Sequence, residues 1–322
     1  MADVTGGVLG RTKKILGAPS FRIGLSVVMV AAVAIILYKE IKPSEIEEAF
    51  KKANLWWVVA AAVAAGMSWV GAAVPLKTLS NIKVPFWDAI LVQVSASFVG
   101  VVAPMGLGPI ALHLRYLSKR GMQVASATAV VLFIEVAQVV TSAVLLIVSL
   151  LIDHRFPHLN FPLKKILIIA AIVVALALIT LTLKPVRSWV ASKIKEYWTQ
   201  ISPQLDFVKD HPISLLWAVL GVLVQTGTYA LALFFCLKAM AHPISLAMAI
   251  TVYLIGNTLG SAVPTPGGIG STLAATVGAL VLVGVPTAVA ASAAVLFRLV
   301  SFYVQVPIGW AAFEYMQKKK LL

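Results

Sequence analysis

The stretch "AVPTPGGIGSTLA", residues 262–274, places two prolines and three glycines between flanks apolar enough to cross a membrane. Proline costs a helix interior about 3 kcal/mol and glycine about 1 kcal/mol. A helix broken inside a bilayer exposes N–H and C=O groups that lipid cannot satisfy. Such a break persists only where protein, water or a polar ligand supplies the missing partners. The flanking sequence is therefore read for a membrane layer with a polar site inside it.

Composition supports the membrane. Of 322 residues, 60% are hydrophobic and 12% charged, against about 25% charged in soluble domains. The formal charge of +14 does not point to nucleic acid. Its lysines and arginines lie mainly in loops between apolar runs, the pattern that orients membrane proteins. A single cysteine, Cys236, excludes an internal disulfide and a cysteine-based metal cluster. His154, His158, His211 and His242 sit in loops without metal-ligand spacing, and no cofactor is expected. Glycine-rich Gly-Lys-Ser/Thr and His-Glu-x-x-His motifs are absent, and Asp88 and Glu135 lie at unrelated depths. The chain does not read as an enzyme.

Spanning the hydrocarbon takes about 20 mostly apolar residues. Candidates lie near 21–38, 55–76, 122–152, 166–183, 213–237 and 288–313. The first follows Arg11, Lys13, Lys14 and Arg22 and runs into Tyr38-Lys39-Glu40, so it reads as a retained anchor. Two more apolar stretches are broken: 86–117 at Pro104-Met-Gly106-Leu-Gly108-Pro109, and 244–283 at the opening motif. Lys77 and Lys83 precede the first, and Arg115, Lys119 and Arg120 close it, so both its ends are inside. The second begins outside, and the last helix must also begin outside to end at Lys318-Lys319-Lys320. The expected fold is an all-α polytopic membrane protein, a single membrane domain over residues 1–322. It has about six full transmembrane helices, two re-entrant broken-helix hairpins and cytoplasmic termini, in a plasma membrane. Within the basic segment 185–210, Val186, Val190, Ile194, Tyr197, Ile201, Leu205 and Val208 recur at helical spacing, predicting an amphipathic helix on the inner leaflet. Pro203 should kink it. Pro43 to Asn54 reads as a short connector helix capped by Ser44.

The two broken stretches open two copies of one pattern, 86–152 and 244–313. Gly121 begins "GMQVASATAVVLFIEVA" and Gly284 begins "GVPTAVAASAAVLFRLV". The intervals agree, 135 − 121 = 14 and 298 − 284 = 14, so Glu135 corresponds to Arg298. Inverted repeats with discontinuous helices mark transporters, and the paired breaks point to the binding site. A half-helix starting near Gly268–Ser271 would offer free N–H groups and partial positive charge to a phosphate. The alternative is a break that merely packs against a neighbour.

Glu135 and Arg298 both fall near the bilayer midplane, where a lone charge costs at least about 2.5–3.5 kcal/mol. Either Arg298 engages a lipid phosphate while Glu135 balances it, or the two form a permanent ion pair. Gln138 and Ser301 lie one turn further along, and Gln305 two turns beyond Arg298, extending a polar stripe. Gln93, Ser95, Ser97, Asn257, Thr258 and Ser261 add polar groups on the first arms of the hairpins. Arg115, with His113 nearby, is a headgroup contact or a topogenic charge. Gly256-xxx-Gly260 is a close-packing motif.

The segment "VPTPGGIGSTLAA…GVPTAVAASAAVLFRLV" resembles the lysylphosphatidylglycerol synthase transmembrane region. This is the flippase-like domain of the multiple peptide resistance factor and its stand-alone relatives. Pro264, Gly267, Gly268, Gly270 and Phe297-Arg298 carry the likeness, and Pro104, Gly106 or Gly108, Arg115 and Glu135 echo it in the first copy; Pro266, within the same break, joins the candidate cavity residues. Where that family usually has an acidic residue, this chain has Ser271-Thr272, so a role needing that carboxylate does not carry over. No counterpart of the soluble aminoacyl-transferase domain is recognised, so lysine transfer is not the expected activity. The resemblance implies a flippase-like protein binding or moving a phosphate-bearing lipid, a phospholipid or polyprenyl-phosphate glycolipid; with no nucleotide-binding motif in the sequence, any energy is expected to come from gradients or mass action. Anionic or phosphate-bearing membrane lipids are the expected partners. The competing expectation is a non-transporting scaffold that recruits an envelope-synthesis enzyme through the helix at 186–208.

Overall fold

A computed structural model of the chain describes residues 53–102, 107–153, 202, 204–261 and 269–322. The expected spans at 21–38 and 166–183, the Ser44-capped connector and most of the amphipathic segment lie outside the described residues. So do the break residues Pro104, Gly106, Pro264, Pro266, Gly267 and Gly268.

The described residues form helices throughout. They are α1 (Leu55–Thr78), α2 (Phe86–Val102), α3 (Leu107–Lys119), α4 (Val124–Ile152), α5 (Pro212–Ala239), α6 (Leu246–Ser261), α7 (Ile269–Leu282) and α8 (Thr287–Arg298). A π-helical turn, Leu299–Tyr303, joins α8 to α9 (Gln305–Lys318). Four helical stretches are long and apolar enough to cross a membrane: Leu55–Thr78, Val124–Ile152, Pro212–Ala239 and Thr287–Lys318. The chain is a multi-pass membrane protein.

Helices α1 and α5 run antiparallel through the centre. The Asn54 N–H donates to the Ala239 carbonyl (3.0 Å), while the Asn54 side chain caps α1 by accepting from Trp56 N–H (3.1 Å). Further along, a Cβ on Gly71 would lie 2.8 Å from the Gly221 carbonyl, and one on Gly221 would lie 2.7 Å from Pro75 Cδ. Glycine on both sides lets the backbones touch, the usual packing device where lipid removes the hydrophobic drive for association.

Helices α2 and α3 fold back on each other. Asp88 pairs with Arg120 at the open end, His113 meets Gln93 in the middle, and Gly100 meets Pro109 near the turn. Helices α6 and α7 do the same: Cβ atoms on Gly256 and Gly260 would collide with Thr276 and Thr272, and Ser271 Oγ donates to the Gly260 carbonyl (2.7 Å). The partner of Gly256-xxx-Gly260 is thus the return arm of its own hairpin.

Each hairpin leads into its long helix through one glycine turn, and the two turns match bond for bond. Gly121 and Gly284 have φ of 91° and 87°, a left-handed conformation that glycine adopts without strain. Around them, Met122 N–H bonds the Leu117 carbonyl and Gly121 N–H the Ser118 carbonyl; Val285 bonds Leu280 and Gly284 bonds Val281. This is the Schellman closure of a helix end, repeated at an offset of 284 − 121 = 163. The next helices start in register, with Gln123 (φ −61°, ψ 142°) and Pro286 (φ −55°, ψ 138°) as caps. The first arms match at 249 − 89 = 160, because 12 positions separate Gly260 from Thr272 and 9 separate Gly100 from Pro109.

The copies exchange neighbours. Helix α2 packs on α9 of the other copy, where Gly309 abuts Phe98 and Ser95 Oγ contacts Met316 Sδ (3.6 Å). Helix α6 packs on α4, joined by Ser149 and Thr251 hydroxyls (2.8 Å) and by Ser245 donating to Asp153. Of the amphipathic segment, residues 204–210 are helical; Gln204 is fully buried and its Nε2 donates to the Leu79 carbonyl at the end of α1.

Candidate functional site

A cavity of about 380 Å³ opens between the two copies. From the first come Gln93, Pro109, His113, Ile134, Glu135 and Gln138; from the second come Tyr253, Thr272, Thr276, Phe297, Arg298 and Ser301. These are the same six positions of the repeat used twice. Gln93 and Tyr253 are related by the 160 offset, and the other five pairs by 163. Ala72, Gln225 and Tyr229 add a wall from α1 and α5, and Asn257 and Phe302 complete the lining.

Arg298 stands at the last residue of α8, where the π-turn begins. Its guanidinium lies over the Phe302 ring, 4.3 Å from the centroid, within cation–π range. Ser301 Oγ folds back to the Phe297 carbonyl (2.6 Å). Glu135 faces the same cavity from α4. The ion pairs Arg120–Asp88 and Lys209–Asp206 lie outside this lining.

The remaining walls are polar and aromatic. Gln138 Nε2 donates to Thr226 Oγ1 (3.2 Å), and His113 Nε2 donates to Gln93 Oε1 (3.2 Å). Tyr229 and Tyr253 stack with centroids 5.7 Å apart, and Tyr253 meets Phe297 edge-on at 6.2 Å. Among the described residues no cluster of His, Cys, Asp or Glu could hold a metal ion.

Of the residues singled out in the sequence, Glu135, Gln138, Thr272, Arg298 and Ser301 meet at this cavity, joined by Gln93, His113 and Asn257. Ser271 binds the Gly260 carbonyl beside it. Gly108 is buried in α3 and Gly270 sits in the first turn of α7, both outside the lining. Arg115 is exposed on α3 and does not line the cavity. Gln305 is buried but turns away, donating to the Ala65 carbonyl (3.1 Å). The π-turn explains this: one residue of a regular helix is about 100° of rotation, so an inserted residue swings everything downstream off the Arg298 face. Sequence reasoning missed Gln225, Tyr229, Tyr253 and Thr276. A lone amide in the apolar stretch 213–237 was the available signal for Gln225.

No individually curated protein matches this chain. The family model described as "Lysylphosphatidylglycerol synthase TM region" matches residues 22–309. With most of its length matched and the repeat built around one cavity, the chain belongs to the family of the lysylphosphatidylglycerol synthase transmembrane region.

Proposed function

We propose that the protein is a flippase-like membrane protein, not an enzyme, whose cavity receives the phosphate-bearing headgroup of a lipid and passes it between leaflets. The observation that carries this reading is Arg298, facing a polar cavity in the middle of an apolar layer, at the interface of two repeated halves.

Three features support the membrane placement. Exposed Trp56 marks one face, and exposed Trp87 and Trp217 the other. In the α1–α5 register, Trp217 lies level with the end of α1, about 20 residues from Trp56, or about 30 Å. That is the thickness of the hydrocarbon core, with tryptophan at both boundaries. Glu135 lies 11 residues beyond Val124, and Arg298 11 beyond Thr287, each about 16 Å from opposite faces.

The hairpins open on opposite faces in this placement. The base of α2–α3 shares its face with Lys77, Lys83, Lys119, Lys209 and Lys318 to Lys320, whereas Lys238 is the basic residue of the other face among the described residues. Positive charge assigns the first face to the cytoplasm. Both hairpins then re-enter without crossing, as an inverted repeat around the cavity. The headgroup enters the cavity between the hairpins, and acyl chains stay in the bilayer. Rocking of the two halves would expose the cavity to each leaflet in turn.

The test is leaflet-resolved translocation of fluorescent phospholipid in reconstituted vesicles, run beside lipid co-purification. Wild type should translocate, and Arg298→Ala should lose at least about tenfold in both readouts. A Val144→Leu control on the exposed face of α4 should lose neither. No translocation by either wild type or Arg298→Ala would favour the scaffold that recruits an envelope-synthesis enzyme.

A further inference from the structure

Building on the phosphate-lipid reading, we infer that lipid movement through this cavity is coupled to a proton, carried by Glu135.

The two repeat-related charges carry the inference. Among the described residues the cavity has one permanent cation, Arg298, and one carboxylate, Glu135. Their charges sum to zero while the cavity holds no lipid. In a low-dielectric layer opposite charges offset one another across a gap, without touching. A lipid phosphate at Arg298 adds a negative charge and leaves the carboxylate facing a second anion. An ionised carboxylate without a counter-charge is costly at that depth, and a proton removes the cost. The sum is then zero again, with Arg298 positive, the phosphate negative and Glu135 neutral. Neither the loaded nor the empty cavity moves net charge across the membrane.

The surroundings single out Glu135 as the carrier. It is exposed on α4, flanked by exposed Leu132, Val136 and Val139, at the border between cavity and hydrocarbon. Arg298 is held by its stack on Phe302, and a guanidinium does not give up its proton. The other titratable groups of the lining are His113 from α3, Tyr229 from α5 and Tyr253 from α6. Helices α1, α2 and α7 present Ala72, Gln93, Thr272 and Thr276, which do not titrate. Tyrosine hydroxyls keep their protons near neutral pH, and the His113 ring is engaged by Gln93 (3.2 Å). The repeat divides the roles: His113 and Glu135 belong to the first copy, and their counterparts in the second are Thr276 and Arg298.

The proton enters Glu135 from water on the face to which the cavity opens as lipid binds. It returns to water on the opposite face as the phosphate leaves Arg298, and no bond to the lipid forms or breaks. By linkage, protonation strengthens lipid binding by the factor with which lipid strengthens protonation.

The experiment uses the full chain in vesicles that carry trace fluorescent phosphatidylglycerol, a singly charged anionic probe. Under a pH step of about one unit, wild type should enrich the probe in the leaflet on the alkaline side. The enrichment should approach about tenfold, the limit for one proton per lipid, and a protonophore should abolish it. A potassium diffusion potential at equal pH should give no enrichment. In weakly buffered detergent, adding phosphatidylglycerol should draw about one proton per bound lipid from solution. Glu135→Gln should lose the enrichment and the proton uptake, and its lipid binding should stop responding to pH. Glu135→Asp, which restores a carboxyl group, should regain the pH response. The wild-type measurements stand even if a variant misfolds.

Wild-type translocation that ignores the pH step, with no proton uptake, would overturn this inference and leave the lipid-handling reading intact. Enrichment driven by the diffusion potential would overturn the charge balance. Enrichment retained by Glu135→Gln would overturn the assignment to this carboxylate, since His113 could then carry the proton. No binding or movement of the probe by wild type at any pH would remove the lipid-handling reading and this inference together.

Discussion

Gly260→Ala tests how closely the arms of the second hairpin meet. The added Cβ would press on Thr272 Cα and lie 2.6 Å from Oγ1 and 2.8 Å from Cβ. Carbon atoms sit about 3.5–4.0 Å apart at rest, so α6 and α7 must part by about 1 Å. Overpacking of that kind costs about 1–3 kcal/mol. Gly278→Ala, in α7 with nothing within 4 Å of its Cβ, supplies the reference. Both changes gain about 1 kcal/mol of helix propensity, so propensity cancels in the comparison. Reversible unfolding in mixed micelles should place Gly260→Ala about 1–3 kcal/mol below Gly278→Ala.

A double-mutant cycle sharpens the test. At Gly256 the first obstacle is the Thr276 hydroxyl, 2.7 Å away, with Thr276 Cα at 3.1 Å. Thr276→Ala should therefore rescue much of Gly256→Ala. Thr272→Ala should rescue little of Gly260→Ala, because the Thr272 Cα remains. Coupling of at least about 1 kcal/mol in the first cycle and near zero in the second is the expected pattern. Equal stability of Gly260→Ala and Gly278→Ala, or the same rescue at both sites, would refute the packing argument.

Three other outcomes follow from the described contacts. Asp88→Asn should destabilise the first hairpin by about 1–3 kcal/mol by leaving Arg120 without its carboxylate, with side-chain exposures of 19% and 28%. Adding Arg120→Gln should recover part of that loss, read by the same unfolding assay. Cys236 is fully buried, so a membrane-permeant maleimide should leave the folded protein unlabelled and modify it once denatured. Arg298→Lys keeps the charge but loses the planar stack on Phe302; lipid co-purification should fall between wild type and Arg298→Ala.

The repeat was legible because glycine turns constrain spacing. Gly121 and Gly284 each need positive φ, so the 14-residue intervals to Glu135 and Arg298 survived as a pattern that letters alone display. The meeting of those two side chains was legible from depth, since two charges near a midplane share the few polar places available. Other parts left no periodic trace. No propensity marks Leu299–Tyr303 as a π-turn, so Gln305 read as part of the stripe when it faces Ala65. Gln225 and Tyr229 reach the cavity from α5 because Gly71 and Gly221 let α1 and α5 touch, a contact between segments 150 positions apart (221 − 71). Arg120 read as a topogenic charge beside a loop, and its pairing with Asp88 depends on the hairpin closing.

The matching glycine turns also bear on ancestry. Two halves whose glycine turns match bond for bond, and whose offsets differ by three positions across the break of the second, are what duplication of one ancestral segment would leave. In the inverted arrangement proposed above, the single-copy product would have enclosed the same chamber by pairing with an oppositely oriented copy of itself. Once fused, the halves were free to diverge, and placing glutamate in one and arginine in the other gave the chamber a polarity that an identical pair could never possess.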